Sequence, residues 1–357
     1  MTSRHMIDLA EISPAELQEI LALARAIMKN PPYYRDACHG RVAATLFYEP
    51  STRTQMSFQA AFLRLGGNII GFDDPQTSSV AKGESLKDTV RVVSNYADLL
   101  VIRHPEEGAA KAAAMFSRSP VINAGDGGHL HPTQTLADAF TLAEEKGRLD
   151  HLIIGMCGDL KNGRTVHSLI KTLSHFPGNR FVFISTPTLG IPDYVKRILK
   201  ASGCAYSESG DLAAAIGELD VLYMTRIQKE RFSSPEEYAR QKGVFVLDEE
   251  KLLRAKYGLK VLHPLPRVDE IAVEVDDDPR CVYYAQTEYA MYARMALILH
   301  MFEGDTRTVD PRPESNTSFV CQNPRCITRS EPYLPQLFSR MNGKMSCEYC
   351  EFEARNV

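Results

Sequence analysis

Residues 41–65 read RVAATLFYEPSTRTQMSFQAAFLRL. The apolar run 41–48 has the length and composition of a buried strand. It ends at Glu49-Pro50, and residues 51–65 then carry a helical pattern that Gly66-Gly67 stops. Pro50-Ser51-Thr52-Arg53-Thr54 therefore opens a helix directly after a strand. A helix start offers unpaired backbone N–H groups and the positive end of the helix dipole. Three hydroxyls and one guanidinium crowd onto this first turn, which makes an anion site of phosphate size without a glycine-rich loop. The plainer alternative is that Ser51 only caps the helix and Arg53 is a solvated charge.

The strand-then-helix alternation extends in both directions. Upstream, Ser13 is placed to cap a helix, Pro14 fits its first position and Glu16 would close a capping box. Leu17, Ile20, Leu21, Ala24, Ile27 and Met28 then share one helical face. Downstream, 98–103 and 121–124 read as strands, and a helix opens at His131-Pro132 and closes before Gly147. The pattern restarts with a strand over 152–158 and a helix from Arg164. Residues 181–185, 220–224, 245–248 and 260–262 are further strand-like runs, and a helix over 288–302 closes this second stretch. Alternation of this kind predicts parallel sheets covered by helices on both faces. The expected fold class is α/β, with two doubly wound parallel-sheet domains over 1–149 and 150–303. Residues 304–318 (GDTRTVDPRPESNTS) are polar and Pro-containing and read as a linker. A small module follows over 319–357.

The chain has 357 residues, with 41 Lys and Arg against 45 Asp and Glu, a net charge of −4. A mildly acidic balance argues against bulk binding to nucleic acid or to an anionic membrane. No apolar run reaches the roughly 18 residues of a membrane span. Asp8 and Glu11 stand where a secretory signal would be apolar, so the expected location is cytoplasmic. Cys38, Cys157, Cys204 and Cys281 are scattered and read as reduced thiols. Cys321-x4-Cys326 and Cys347-x2-Cys350 instead have the spacing of a four-thiolate zinc site. Around them Arg325, Arg329, Arg340, Lys344 and Arg355 are nearly balanced by Glu331, Glu348, Glu351 and Glu353, a poor surface for nucleic acid. The expected zinc is structural, folding a module too small for a core of its own.

Further polar residues fall at the ends of expected strands, where open α/β sheets bind ligands. Arg103 is one. His131 and Gln134 stand three apart at a helix start and suit a carbonyl or amide group of a substrate. In the second stretch, Gly158-Asp159-Leu160-Lys161-Asn162-Gly163-Arg164 lacks the glycine pattern and the acidic residue of a dinucleotide site. Arg164 would lie at the helix start, and Arg226 and Gln228 share one side of an extended segment. Two arginines suit a dicarboxylate, because a guanidinium pairs a carboxylate bidentately. Either arginine alone reads equally as a surface ion-pair partner. His263-Pro264-Leu265-Pro266-Arg267 is stiffened by two prolines, and its carbonyls could accept hydrogen bonds.

Phe47-Tyr48-Glu49-Pro50-Ser51-Thr52-Arg53-Thr54, Arg103-His104-Pro105 and His131-Pro132-Thr133-Gln134 resemble the carbamoyl-phosphate half of the transcarbamylases. Ser78 and Lys82 match that family's loop that reaches a neighbouring subunit's site. HPLPR at 263–267 and MTRIQKER at 224–231 resemble aspartate transcarbamylases rather than ornithine enzymes, which carry HCLP-type and SMG-type motifs. Residues 320–332 resemble the zinc domain of the aspartate transcarbamylase regulatory chain.

The resemblance implies transfer of the carbamoyl group of carbamoyl phosphate to L-aspartate, an early step of pyrimidine synthesis, without a catalytic cofactor. It implies that Ser51, Thr52, Arg53, Thr54 and Arg103, with Ser78 and Lys82 of a neighbour, hold the phosphate. Thr54, Arg103 and His131 would stabilise the carbonyl oxygen. Gln134 and the Pro264 and Leu265 carbonyls would orient the carbamoyl NH2. Arg164, Arg226 and Gln228, with Lys82 and Leu265, would bind aspartate. Shared sites imply a homotrimer, and the zinc module would dock on a catalytic domain, where it could join two trimers. Two places depart from the family: the segment Gln286 to Arg294 lacks the Asn-Gly that many members carry before the last helix, and Ala81 stands where some members have a second Lys.

Overall fold

The computed structural model describes residues 5–232, 234–303, 315–316, 318–341 and 344–356. Most of the expected linker, 304–314 and 317, lies outside the described residues. The chain forms two compact units, one of Met1–Thr133 with Met291–Val357 and the other of Gln134–Ala290.

The first unit holds strands β1 (Val42–Phe47), β2 (Asn68–Phe72), β3 (Leu99–His104) and β4 (Val121–Asp126). They pair in parallel in the order β2-β1-β3-β4. β3 and β4 are buried throughout and β1 nearly so, which is why they read as continuous apolar runs. β2 is a half-exposed edge strand with no such run, and sequence reading missed it. Helix α1 (Pro14–Lys29) buries Leu17, Ile20, Leu21, Ala24 and Ile27, and the Ser13 hydroxyl caps it by accepting from the Glu16 amide at 3.1 Å. The Glu16 carboxylate, read as the other half of a capping box, pairs with His300 at 2.9 Å. Helix α2 (Thr52–Arg64) starts where expected. At Gly67, beyond its end, a Cβ would stand 2.1 Å from the Phe62 ring, so only glycine lets the chain turn back. Helices α3 (Leu86–Val93) and α4 (Ala109–Ala114) follow β2 and β3.

The second unit contains most of helix α5 (Pro132–Glu145), strands β5 (Ile153–Cys157), β6 (Arg180–Ile184), β7 (Ala205–Ser209), β8 (Val221–Met224) and β9 (Lys260–Leu262), and helix α6 (Arg164–Leu173). Its parallel order is β7-β6-β5-β8-β9. β7, at the edge of this sheet, is polar and was not announced by the sequence. Residues 245–248, expected as a strand, form none: Leu247 makes only an isolated bridge to Ile271. The long helix α7 (Ala285–Phe302), most of which belongs to the first unit, begins three residues before the expected 288.

In both sheets the strand order reverses once, between β1 and β3 and between β5 and β8. The crevice at the carboxyl ends of such a pair is where open α/β sheets bind ligands. Residues 51–54 and Arg103 follow β1 and close β3; residues 158–164 and 225–228 follow β5 and β8.

The tail belongs to the first unit. β10 (Phe319–Cys321) pairs with β13 (Ala354–Asn356), and β11 (Phe338–Met341) with β12 (Lys344–Cys347), all antiparallel. Ribbons of three or four residues are not stable alone. These are held by a shared core: Ile327, Leu334, Leu337 and Tyr349 belong to one buried cluster with Leu46, Val90, Ile102 and Phe116.

Polar ties reinforce the junction. Glu107, 6 % exposed, accepts from Asn323 Nδ2 at 2.6 Å and pairs with Arg325 at 3.0 Å. Its backbone donates to Arg325 O at 2.8 Å and accepts from the Ile327 amide at 3.0 Å. The module also serves the N-terminus of α3, where the Leu86 and Lys87 amides donate to Glu331 Oε1 at 2.8 Å and Tyr333 Oη at 3.0 Å. A helix leaves these first amides without intrahelical partners, so the module supplies the missing acceptors. No helix among the described residues is long and apolar enough to cross a membrane.

Candidate active site

The first cradle is built on the carboxyl ends of β1 and β3. Ser51 is the N-cap residue of α2, but its side chain makes no capping hydrogen bond. That removes the plainer reading of Ser51 as a cap alone. Thr52 and Arg53 are exposed and Thr54 is buried. Arg103, 8 % exposed, donates to Ala124 O at 3.2 Å and pairs with Glu49 at 2.9 Å. Its Nη1 lies 3.4 Å from His131 Nε2. Burial pulls the Arg103 guanidinium below its usual range, Glu49 pushes it back, and the nearby Arg53 charge pulls it down further. Partial desolvation of its otherwise exposed side chain lowers Arg53 as well. Two neighbouring cations beside a hydroxyl-lined helix start attract an anion, which would stabilise both.

Ser78 and Lys82 lie in short 3₁₀ turns downstream. The Ser78 hydroxyl donates to Pro75 O at 2.8 Å within its own turn, and Lys82 is exposed.

The loop that carries His131 is tied to the module. His129 Nδ1 is 3.0 Å from Asp126, and its Nε2 is 3.9 Å from Glu351. Burial alone would lower its pKa, but the two carboxylates outweigh it and raise it from 6.5 to about 10. His129 is thus an imidazolium at neutral pH. A raised folded pKa adds stability that is complete below the unfolded value near 6.5 and lost as pH climbs to 10. His129→Asn is expected to lower the melting temperature most at pH 6 and progressively less at pH 8 and 10. A deficit equal at all three would contradict the ion pairing.

In the second unit, Gly158 turns the chain sharply after β5. Its φ is +118°, and a Cβ there would meet Thr225 O at 2.2 Å, so glycine is required. The buried Asp159 closes the turn by accepting from the Asn162 amide and side chain, each at 3.1 Å. This sets Arg164 as the first residue of α6. His167 donates from Nε2 to Leu160 O at 2.6 Å, which leaves Nδ1 to accept from the Tyr194 hydroxyl at 2.7 Å. Gln228 donates to Asn162 O at 3.1 Å and so joins the β8 end to the same turn. Arg164 and Arg226 are half-buried.

Pro264 and Leu265 are half-buried after β9, and Leu265 has φ +52°. His263 organises this loop: its Nε2 donates to Glu270 at 2.7 Å and its Nδ1 accepts from the Leu265 amide at 2.8 Å. The His263 amide donates to Gln286 Oε1 at 3.1 Å. Gln286 in turn donates to Asp138 at 2.6 Å, and Gln134 donates to the same carboxylate at 2.7 Å. Sequence reading assigned no role to Glu49, Asp138 or Gln286.

The four tail cysteines are buried, with their Sγ atoms all within 4.8 Å of one another. Cys321 and Cys350 are 3.6 Å apart, and Cys326 and Cys347 are 3.8 Å apart. A tetrahedron of zinc–sulfur bonds of about 2.3 Å separates its sulfurs by about 3.8 Å, so the cluster fits zinc. Thr328 donates to Cys326 Sγ at 3.2 Å, an outer-shell bond that favours the thiolate.

Two doubly wound sheets, each with cationic residues at its switch point, define a binder of anionic ligands, and the attached four-cysteine module is a separate metal centre. Profiles of the aspartate/ornithine carbamoyltransferase carbamoyl-P binding domain and Asp/Orn binding domain match residues 4–144 and 150–301. The metal binding domain of the aspartate carbamoyltransferase regulatory chain matches 314–356. The chain belongs to the aspartate/ornithine carbamoyltransferase family and carries a regulatory-chain metal-binding domain on the same polypeptide. Aspartate carbamoyltransferase catalytic subunits of Clostridium novyi and Clostridium perfringens are 54% and 55% identical, over 84% of this chain and 97% of each relative. The catalytic subunit of M. jannaschii aspartate transcarbamoylase superposes with TM-score 0.79 at 45% identity, covering 84% of this chain and 98% of that one. The Trypanosoma cruzi enzyme in complex with N-(phosphonacetyl)-L-aspartic acid superposes with TM-score 0.78 at 35% identity, over 83% and 95%.

Proposed function

We infer that the protein is an aspartate carbamoyltransferase that makes N-carbamoyl-L-aspartate and phosphate for pyrimidine synthesis. The carrying observation is the paired Arg53 and Arg103 over the uncapped start of α2. The neutral amine of aspartate attacks the carbamoyl carbon, the bond to the phosphate oxygen breaks, and the departing phosphate takes the amine proton. Arg103, His131 and Thr54 stabilise the charge that grows on the carbonyl oxygen. Ser51, Thr52, Arg53, Thr54 and Arg103, with Ser78 and Lys82 of a neighbouring chain, hold the phosphate. Gln134 and the Pro264 and Leu265 carbonyls orient the carbamoyl NH2. Arg164, Arg226 and Gln228, with Lys82 and Leu265, hold the aspartate carboxylates. Catalysis is positioning and electrostatics, with no proton-transfer side chain assigned.

The domain division that accompanies this reading is 1–149 for carbamoyl phosphate, 150–303 for aspartate and 319–357 for zinc. The working state is a cytoplasmic homotrimer, and two trimers can pair through the zinc module. Pure protein should carbamoylate aspartate and leave ornithine untouched. Turnover of ornithine, or of neither amine, would sink the assignment. Light scattering should give about 120 kDa for three chains of 39.9 kDa, or twice that for paired trimers. A monomer with full activity would refute the shared site.

A further inference from the structure

We propose that Asp138 is a positioning residue that sets the substrate-facing polarity of Gln134. The inference rests on the reading that Gln134 meets the carbamoyl NH2. Asp138 is fully buried and stands one helical turn after Gln134 on α5. Three side chains from separate segments converge on its carboxylate. Gln134 and Gln286 donate to Oδ1 at 2.7 and 2.6 Å, and the Tyr223 hydroxyl donates to Oδ2 at 2.8 Å. Oδ1 accepts from both amides, and each amide therefore turns its NH2 group toward it.

The consequence differs for the two amides. Gln286 directs its oxygen to the His263 amide, which steadies the 263–267 loop. Gln134 directs its oxygen away from Asp138. A carbamoyl group carries two N–H donors where an acetyl group carries a methyl. An outward amide oxygen rewards the first and gives nothing to the second, whereas an outward NH2 would set donor against donor. Asp138 thus acts through Gln134 as a selector for carbamoyl over acetyl donors.

Carbamoyl phosphate and its methyl counterpart acetyl phosphate test this. The readout is the ratio of the acetyl phosphate inhibition constant to the carbamoyl phosphate KM. One hydrogen bond is worth about tenfold. Asp138→Asn lets Gln134 rotate, and the ratio should fall about tenfold. Gln134→Met should produce the same fall, and adding D138N to it should change the ratio no further. Tyr223→Phe, which loses a contact to Asp138 without freeing either amide, should leave the ratio within twofold.

If D138N keeps the ratio while Q134M lowers it, the role of Asp138 is overturned and that of Gln134 stands. If Q134M also keeps it, the reading of Gln134 itself fails. Should D138N not fold, the unmodified enzyme still decides. The Gln134 side-chain NH2 protons should exchange slowly with solvent, free or with acetyl phosphate bound, and fast exchange would overturn the proposal.

Discussion

Replacing Arg103 with alanine is expected to lower kcat at least a thousandfold in a protein that still folds. Loss of one preorganised oxyanion donor costs about 10²–10³ in rate. Arg103 also carries charge for the phosphate, so its removal strikes twice. The structural cost is smaller. Glu49 loses its partner, but its side chain is 35% exposed and can be rehydrated. Ala124 O loses one donor, worth about 1–3 kcal/mol if left unpaired. A melt shifted by several degrees, beside a thousandfold rate loss, separates chemistry from folding. Arg103→Lys should recover only part of the rate, because an ammonium cannot span Glu49, Ala124 O and His131 as the guanidinium fork does. A loss under tenfold in the alanine variant would place the oxyanion elsewhere.

Stripping zinc from the whole chain with a thiol reagent should unfold the tail and expose part of the first unit's core. Structural zinc sites bind with about 10–16 kcal/mol, as much as the entire stability of many proteins. The ribbons it would cross-link are only three or four residues long. The tail's apolar residues share a cluster with Leu46, Val90 and Ile102. Loss of metal therefore should not stay local. Amide exchange gives the sharpest readout: protection at Leu86, Lys87 and Glu107 should collapse, because their acceptors lie in the module. Retained protection at those three amides after zinc loss would mean that the module docks without its metal.

The parts of this molecule legible in the sequence are those where one physical requirement dominates. Buried central strands need apolar runs, and β1, β3, β5 and β8 had them. Four thiolates need fixed spacing, and the cysteines kept it. Edge strands carry no such demand. β2 (NIIGF) and β7 (AYSES) are half-exposed and looked like connecting chain. Residues 245–248 failed in the opposite sense, having strand composition without a partner strand.

The candidate site divides the same way. Arg53, Arg103 and His131 stood out because they break strand-to-helix turns with polar chemistry. Asp138 did not, since an acid in a helix reads as solvated until its apolar neighbours are weighed. Ala137, Ala139 and Phe140 are all fully buried, and that LADAF context was the available signal. Gln286 hid inside a segment noted only for departing from its family. Glu107 hid because a carboxylate answered by residues some 216 positions away leaves no local trace.

Because the metal-binding domain shares a backbone with the domain it covers, their meeting is unimolecular. Two separate chains must find each other at a rate set by concentration, and they part on dilution. Here the local concentration of the module is fixed by the chain that joins them, whatever the protein's abundance. Stoichiometry is fixed as well, at one module per transferase, so no half-loaded assemblies arise from unequal synthesis of two subunits. Opening the junction becomes a conformational equilibrium within one molecule, and diluting the sample leaves its position unchanged.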